Sequence, residues 1–138
     1  MNVQIPEDYV PSEDEPFMNS RQQEYFRAKL KKWRNEILAD ASQTILSLQE
    51  ETVKEPDIAD RASTESERTL ELRTRDRQRK LIGKIDAALR RIDEGQYGYG
   101  VETGEPISLK RLEARPVATL SLEAQERHER REKSYRDD

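Results

Sequence analysis

The sequence predicts a mainly α-helical protein: one long antiparallel helical hairpin, a small compact knob after it, and a last helix. Three observations carry that expectation. Apolar residues recur at Phe26, Leu30, Trp33, Ile37, Ala41, Ile45 and Leu48, in steps of three and four that keep one stripe on one helix face. A second segment runs without proline to Gly95 and closes with Leu81, Ile82, Ile85, Ala88, Leu89 and Ile92, the same kind of stripe. Between them stands Pro56-Asp57-Ile58-Ala59-Asp60-Arg61-Ala62. Pro56 cannot continue a helix and pushes Glu55 away from the α region, so the chain turns there. With arms of about 32 residues, such a hairpin projects roughly 50 Å at ~1.5 Å per residue.

Composition agrees with a rod better than with a globule. Only 33% of the 138 residues are hydrophobic and 39% are charged, which is poor material for a round core but enough for a narrow seam. A net charge of −4 argues against a general DNA-binding protein, which is normally basic. No apolar run approaches the ~20 residues needed to cross a bilayer. Met1 to Glu15 holds acids and no base, unlike a secretory signal, so a soluble cytoplasmic protein is expected. With no cysteine there is no disulfide or thiol chemistry, and the lone histidine, His128, reads as a solvated helix residue rather than a ligand or catalyst.

Taken in order, residues 1–17 form an acidic mobile arm broken by Pro6, Pro11 and Pro16, with Ile5, Tyr9 and Val10 available for local packing on the body. Residues 18–94 form the hairpin, its first arm capped by Asn19 or Ser20 and running from about Arg21 to Val53, its tip at 55–62. Trp33 reads as a core anchor near the base. The tip is sharply acidic, with Glu50, Glu51, Glu55, Asp57, Asp60, Glu65 and Glu67 against Lys54 and Arg61. Asp57 or Asp60 can cap the second helix, and capping alone explains most such pairs. Their place at the far end of a long projection points to a further purpose. Arg73-Thr74-Arg75-Asp76-Arg77-Gln78-Arg79-Lys80 then reverses the charge and interrupts the apolar seam. Charge alone leaves two readings equally open: a solvated face paired with Glu50 or Glu51, or a binding surface.

The texture changes at residues 95–120, where Gly95, Gly98, Gly100 and Gly104 alternate with Tyr97 and Tyr99 and strand-like pieces such as Pro106 to Leu109 follow. Tyr99, Val101, Ile107, Leu112, Val117 and Leu120 are the expected buried side chains of this knob. A knob so small normally needs a metal or disulfide staple. Residues 121–138 form the last helix, capped by Ser121 and running to about Tyr135, and its tail.

Several stretches together resemble the DksA/TraR transcription factors: Phe-Met-Asn at 17–19, Trp-Arg-Asn at 33–35, Asp57-x-x-Asp60-Arg61-Ala62, Leu-Arg-x-Arg-Asp-Arg at 72–77, Arg-Lys-Leu-Ile at 79–82, Tyr97-Gly98-Tyr99, and Lys110 to Pro116. The match runs from about 17 to 125. It implies a coiled-coil hairpin with a zinc-finger-like knob, in a monomer that binds RNA polymerase and inserts its hairpin through the secondary channel. It implies destabilised open complexes, repression of ribosomal RNA promoters and activation of some others with guanosine tetraphosphate (ppGpp) in the stringent response. By matched position, Asp57, Asp60 and Ala62 act at the polymerase active centre and Arg77 contacts the rim. Leu81, Lys84, Arg111 and Arg115 hold ppGpp at the interface with polymerase. No cofactor is expected on the protein alone, no direct specific DNA binding, and no catalysis.

The departures from the family matter as much. Its four zinc ligands fall at Gly100, Thr103, Ser121 and Ala124, none of them cysteine, so the resemblance is to a metal-free branch. A basic position near the nucleotide falls on Gln125, which removes one phosphate contact. Two other classes of function are open to a hairpin of this kind. A transcript-cleavage factor would use tip carboxylates to hold Mg²⁺ but shares only the hairpin plan. A plain coiled-coil adaptor would depend on the seam and not on the tip.

Overall fold

The structure, a computed structural model, describes the backbone of residues 5–53 and 58–137, and side chains at 5–43, 45–46 and 65–134. Four helices account for most of it: α1 (Ser20–Val53), α2 (Ile58–Asp93), α3 (Leu109–Ala114) and α4 (Leu122–Asp137). The two long helices are the expected arms. Pro56 itself lies outside the described residues, between the end of α1 and the start of α2.

Local chemistry sets the ends of these helices. Asn19 caps α1: its Oδ1 accepts the Gln22 amide at 2.9 Å, and its carbonyl accepts the Gln23 amide at 3.0 Å. At the end of α2, Gly95 takes the left-handed conformation with φ +74°. Its amide bonds the Ile92 carbonyl, and the Gln96 amide bonds the Arg91 carbonyl, the paired arrangement that satisfies the last helical carbonyls. Ser108 starts α3 by accepting the Arg111 amide at 3.2 Å, and Ser121 starts α4 by accepting the Ala124 amide at 3.2 Å.

The chain forms two compact units, one of Met1–Leu30 with Ala87–Asp138 and one of Lys31–Asp86. In the first, Phe26 and Leu30 of α1, Ile92 of α2, and Tyr97, Ile107, Leu112, Val117, Ala118 and Ala124 are buried. Fully burying side chains of the size of Phe26 or Leu30 stabilises by about 1.5–3 kcal/mol each. The Phe26 and Tyr97 rings stand 5.6 Å apart, and the buried Tyr97 hydroxyl donates to the Pro116 carbonyl at 2.7 Å. Residues 5–19 pack in this unit as well. Tyr9 meets Tyr25 edge to face, Phe17 meets Tyr99 likewise, and Met18 is buried.

Two expectations for the knob need correction. Val101 is 62% exposed rather than buried. Its amide pairs with the Thr119 carbonyl at 2.9 Å, and Gly100 and Gly104 close a turn around it that sends the side chain outward. The strand-like stretch Pro106 to Leu109 amounts to one isolated antiparallel bridge, Tyr99 with Pro106, after which Ser108 caps a helix from Leu109.

The second unit is a helical hairpin in its own right. Ile37 and Ile85 are its buried apolar side chains among the described residues, flanked by half-buried Trp33, Ala41, Ile45, Leu81 and Ile82. Arg34 Nε joins α1 to α2 through Asp86 at 2.8 Å. In the basic run, Arg79 and Lys80 pair with Asp76 of their own helix at 3.0 and 3.1 Å. Glu50 and Glu51, the acids expected to pair with that run, lie among the side chains outside the described residues. No helix among the described residues is long and apolar enough to cross a membrane.

Candidate functional site

The residues singled out in the sequence fall on distinct surfaces. Asp57 lies outside the described residues. Asp60 and Ala62 sit in the first turns of α2, and their side chains lie outside the described residues too. Arg77 is exposed on α2. Steps of four, three and four place Arg73, Arg77, Lys80 and Lys84 along one row of that helix, and all four are exposed. The row spans about 16 Å at ~1.5 Å per residue. Lys80 is paired with Asp76 beside the row, and Arg73, Arg77 and Lys84 offer a surface suited to an acidic partner. Asp76, on the neighbouring row, is held below the ordinary carboxylate range by the Lys80 hydrogen bond and charge, with Arg79 adding to it.

Leu81 and Lys84 lie three residues apart on α2 in the second unit. Arg111 and Arg115 belong to the first unit, Arg111 inside α3 and Arg115 at its C-terminal cap. Arg111 already has a structural task, since its Nε donates to the Leu120 carbonyl at 2.8 Å and pins α3 to the start of α4. Arg115 is exposed. The Gln125 amide donates to the Glu129 carboxylate at 3.1 Å.

Of the positions that the resemblance gives to zinc ligands, Gly100 and Thr103 lie in a hydrogen-bonded turn and Ser121 and Ala124 at the start of α4. Thr103 Oγ1 accepts the Glu105 amide at 3.3 Å, and a Cβ built on Gly100 would stand 3.3 Å from that same oxygen. Ser121 Oγ caps α4, as described, and Ala124 is buried. Neutral hydroxyls, a methyl and a hydrogen are not a zinc donor set, which calls for thiolate, imidazole or carboxylate. Both hydroxyls are also spent on backbone amides. Among the described residues no three His, Cys, Asp or Glu side chains gather where they could hold a metal. The residues present do not fit zinc.

Direct bonds hold this region together. Arg91, half-buried, donates from Nη2 to the Tyr99 carbonyl at 2.6 Å. Burial pushes its guanidinium below the ordinary value. Glu113 of α3 receives both the Tyr25 hydroxyl and Lys29 Nζ from α1. Burial pushes the Glu113 carboxyl up, but the Lys29 and Tyr25 hydrogen bonds and the Lys29 charge outweigh it and leave it below the ordinary value. Tyr25 is pushed up to about 12, by burial first and then by Glu113. Glu113 was visible inside the motif 110–116, yet nothing in the sequence showed that its partners sit on α1. Gln22 was missed altogether. It is fully buried, accepting the Met18 amide at 2.7 Å and donating to the Ser12 carbonyl at 3.1 Å.

Comparison with known proteins covers nearly the whole chain. The model of the DnaK suppressor protein DksA N-terminal domain matches residues 22–92. The prokaryotic dksA/traR C4-type zinc finger matches residues 95–130, although its ligand positions are vacant of cysteine here. The RNA polymerase-binding transcription factor DksA of Caulobacter vibrioides is 67% identical over 131 residues, 95% of this chain and 92% of that protein. The protein of the same name from Escherichia coli K12 is 41% identical over 127 residues, 92% of this chain and 84% of that one. The structure of transcription factor DksA2 from Pseudomonas aeruginosa superposes with a TM-score of 0.80 at 43% identity, covering 85% of this chain and 90% of that one. Paired long helices, a glycine-rich turn region and a capped last helix follow one another here as those matches require, and the chain belongs to the DksA/TraR family.

Proposed function

We propose that this protein is a regulator of transcription that binds RNA polymerase, in the cytoplasm and as a monomer, and catalyses no reaction itself. The observation that carries the reading is the 67% identity, over nearly the full length of both chains, with a factor named for polymerase binding. The hairpin enters the secondary channel, with Asp57, Asp60 and Ala62 acting at the active centre and Arg77 on the channel rim. The exposed cations Arg73, Arg77 and Lys84, with Lys80 paired to Asp76 beside them, support the last assignment, since they offer a stripe for an acidic face of the polymerase. In this reading the protein shortens the life of open complexes, represses ribosomal RNA promoters and activates some others.

Leu81, Lys84, Arg111 and Arg115 bind ppGpp together with polymerase. Gln125 weakens that response twice over: it lacks a cation, and its amide holds the Glu129 carboxylate nearby. Loss of one charged hydrogen bond costs about 1.5–3 kcal/mol, tenfold or more in affinity.

The test is the lifetime of an open complex at a ribosomal RNA promoter, with wild-type protein and an Asp57→Asn/Asp60→Asn variant. The wild type shortens the lifetime, and the variant still binds polymerase but does not shorten it. Adding ppGpp changes the wild-type lifetime modestly and that of Gln125→Lys strongly. A wild type that neither binds polymerase nor alters the lifetime sinks the reading.

A further inference from the structure

Gly100, Thr103, Ser121 and Ala124 supply no metal ligands, and a region as small as the one they belong to ordinarily needs a staple. Within the first unit, residues 9–18 lie against its glycine-rich turn. The Phe17 and Tyr99 rings meet edge to face with centroids 5.4 Å apart, and Met18 is buried beside Gly98. A Cβ on Gly98 would stand 2.9 Å from Met18 Cγ and 3.2 Å from Phe17 Cζ, so this close approach requires glycine. The turn covered in this way is hydrogen-bonded behind. The Gly98 carbonyl accepts the Ile107 amide at 2.7 Å, and the Gly100 and Val101 amides donate to the Glu105 and Thr119 carbonyls. Met18 itself has φ +53°, the one non-glycine residue in the left-handed region among the described residues. That conformation persists where the surroundings over-determine it. Here Gln22 Oε1 accepts the Met18 amide and Gln23 Nε2 donates to the Met18 carbonyl, each at 2.7 Å. Upstream, Gln22 Nε2 donates to the Ser12 carbonyl at 3.1 Å, and Tyr9, bonded to Glu15, packs edge to face on Tyr25.

We propose that residues 9–18 are the staple of the zinc-finger-like region, with Phe17 and Met18 clamping the Gly98–Tyr99 turn onto the start of α1 where a metal is not held. A metal at the four matched positions would join the turn at 100–103 to the start of α4. The strap joins the adjoining turn to α1 instead. Met18 is next to Asn19, the cap of α1, and both of its peptide groups are held by side chains of the opening turns of that helix. Once α1 forms, the clamp is therefore already ordered, and its contacts with the turn have little further chain entropy to offset. The hydrogen bonds behind the turn then open only when the strap lifts, so their local stability follows the strap's.

Amide hydrogen exchange on the full-length protein tests this, comparing the wild type with Phe17→Ala/Met18→Gly. Glycine at 18 removes the side chain and suits the left-handed backbone, so any loss belongs to the contact and not to strain. The expected result is exchange about tenfold faster or more at the Gly100, Val101 and Ile107 amides, and nearly unchanged at Ile37 and Ile85 of the second unit. A Gln23→Ala variant keeps a good helix former in α1 and takes away only the partner of the Met18 carbonyl. It is expected to speed the same three amides by about threefold or more, with Ile37 and Ile85 again unchanged. Where the double variant loses its helical circular dichroism, Gln23→Ala decides alone. Exchange at Gly100, Val101 and Ile107 that stays as slow as in the wild type, or that rises no more than at Ile37 and Ile85, overturns the proposal.

Discussion

Gln22 shows how much one side chain fixes in this protein. A fully buried amide that serves the Met18 amide on one side and the Ser12 carbonyl on the other ties residues 12–18 to the first turn of α1. Gln22→Ala leaves both backbone groups unpaired and is expected to lower unfolding stability by about 2–4 kcal/mol, measured by urea denaturation, because each unmade buried bond costs about 1–3 kcal/mol. Three tyrosines set an alkaline limit, among them Tyr97, whose phenol burial pushes up. Tyr9 and Tyr25 are both pushed up to about 12 by burial and by the carboxylates of Glu15 and Glu113. A phenol whose folded pKa is raised contributes stability below its ordinary value near 10, and loses it as pH climbs toward the folded value. Stability is therefore expected to fall between about pH 10 and 12, and a Tyr9→Phe/Tyr25→Phe variant to lessen that fall, leaving the share of Tyr97, in a pH series of thermal melts. Neither tyrosine's partner was legible in the sequence. Glu15 lies close in the chain to Tyr9, but Glu113 is far from Tyr25, and nothing in spacing links them.

At the scale of the element, two glycines have opposite expectations. Gly83 lies in the interior of α2, exposed, with nothing near where a Cβ would stand. Gly83→Ala is expected to stabilise by about 0.5–1 kcal/mol, since glycine loses more freedom than alanine on entering a helix. Gly98 has φ +93°, and a Cβ there would stand 2.9 Å from Met18 Cγ. Gly98→Ala adds backbone strain of about 1–3 kcal/mol to that crowding and is expected to lower the melting temperature, with loss of near-ultraviolet signal from Phe17 and Tyr99. Ser121 holds the start of α4, so Ser121→Ala costs about 1 kcal/mol in the same melts. Helix ends were the most legible part of the sequence, because caps and the left-handed glycine act within a few residues. Gly95 and Ser121 could be named from the chain alone, and the first cap was narrowed to Asn19 or Ser20. The exposure of Val101 could not, since it depends on pairing with Thr119 across the turn.

For the whole molecule, the matter at stake is how a zinc-finger-like region holds without its metal. Gly100, Thr103, Ser121 and Ala124 offer no ligands, while Tyr97 to Pro116, Arg91 to Tyr99 and Arg111 to Leu120 tie the segment down by direct bonds. Treatment with a strong chelator or a thiol oxidant is expected to leave the circular dichroism spectrum and the melting temperature unchanged. Loss of fold under a chelator alone would mean a metal site that these residues do not explain.

The sequence by itself determined the helical class, the two long arms, the change of texture at Gly95 and the absence of cysteine. Each of these depends on spacing or residue type within a short window, where periodicity and caps act directly. Only the tertiary structure decided that Gln22 is buried, that Glu113 answers Tyr25 and Lys29, that Arg111 is committed to Leu120, and that Arg68 Nε, Glu71 Oε2 and Gln78 Oε1 are buried without hydrogen-bond partners. Those facts join groups distant in the chain or depend on what surrounds a side chain in three dimensions. A polar residue reads the same in sequence whether it meets water, a partner or neither.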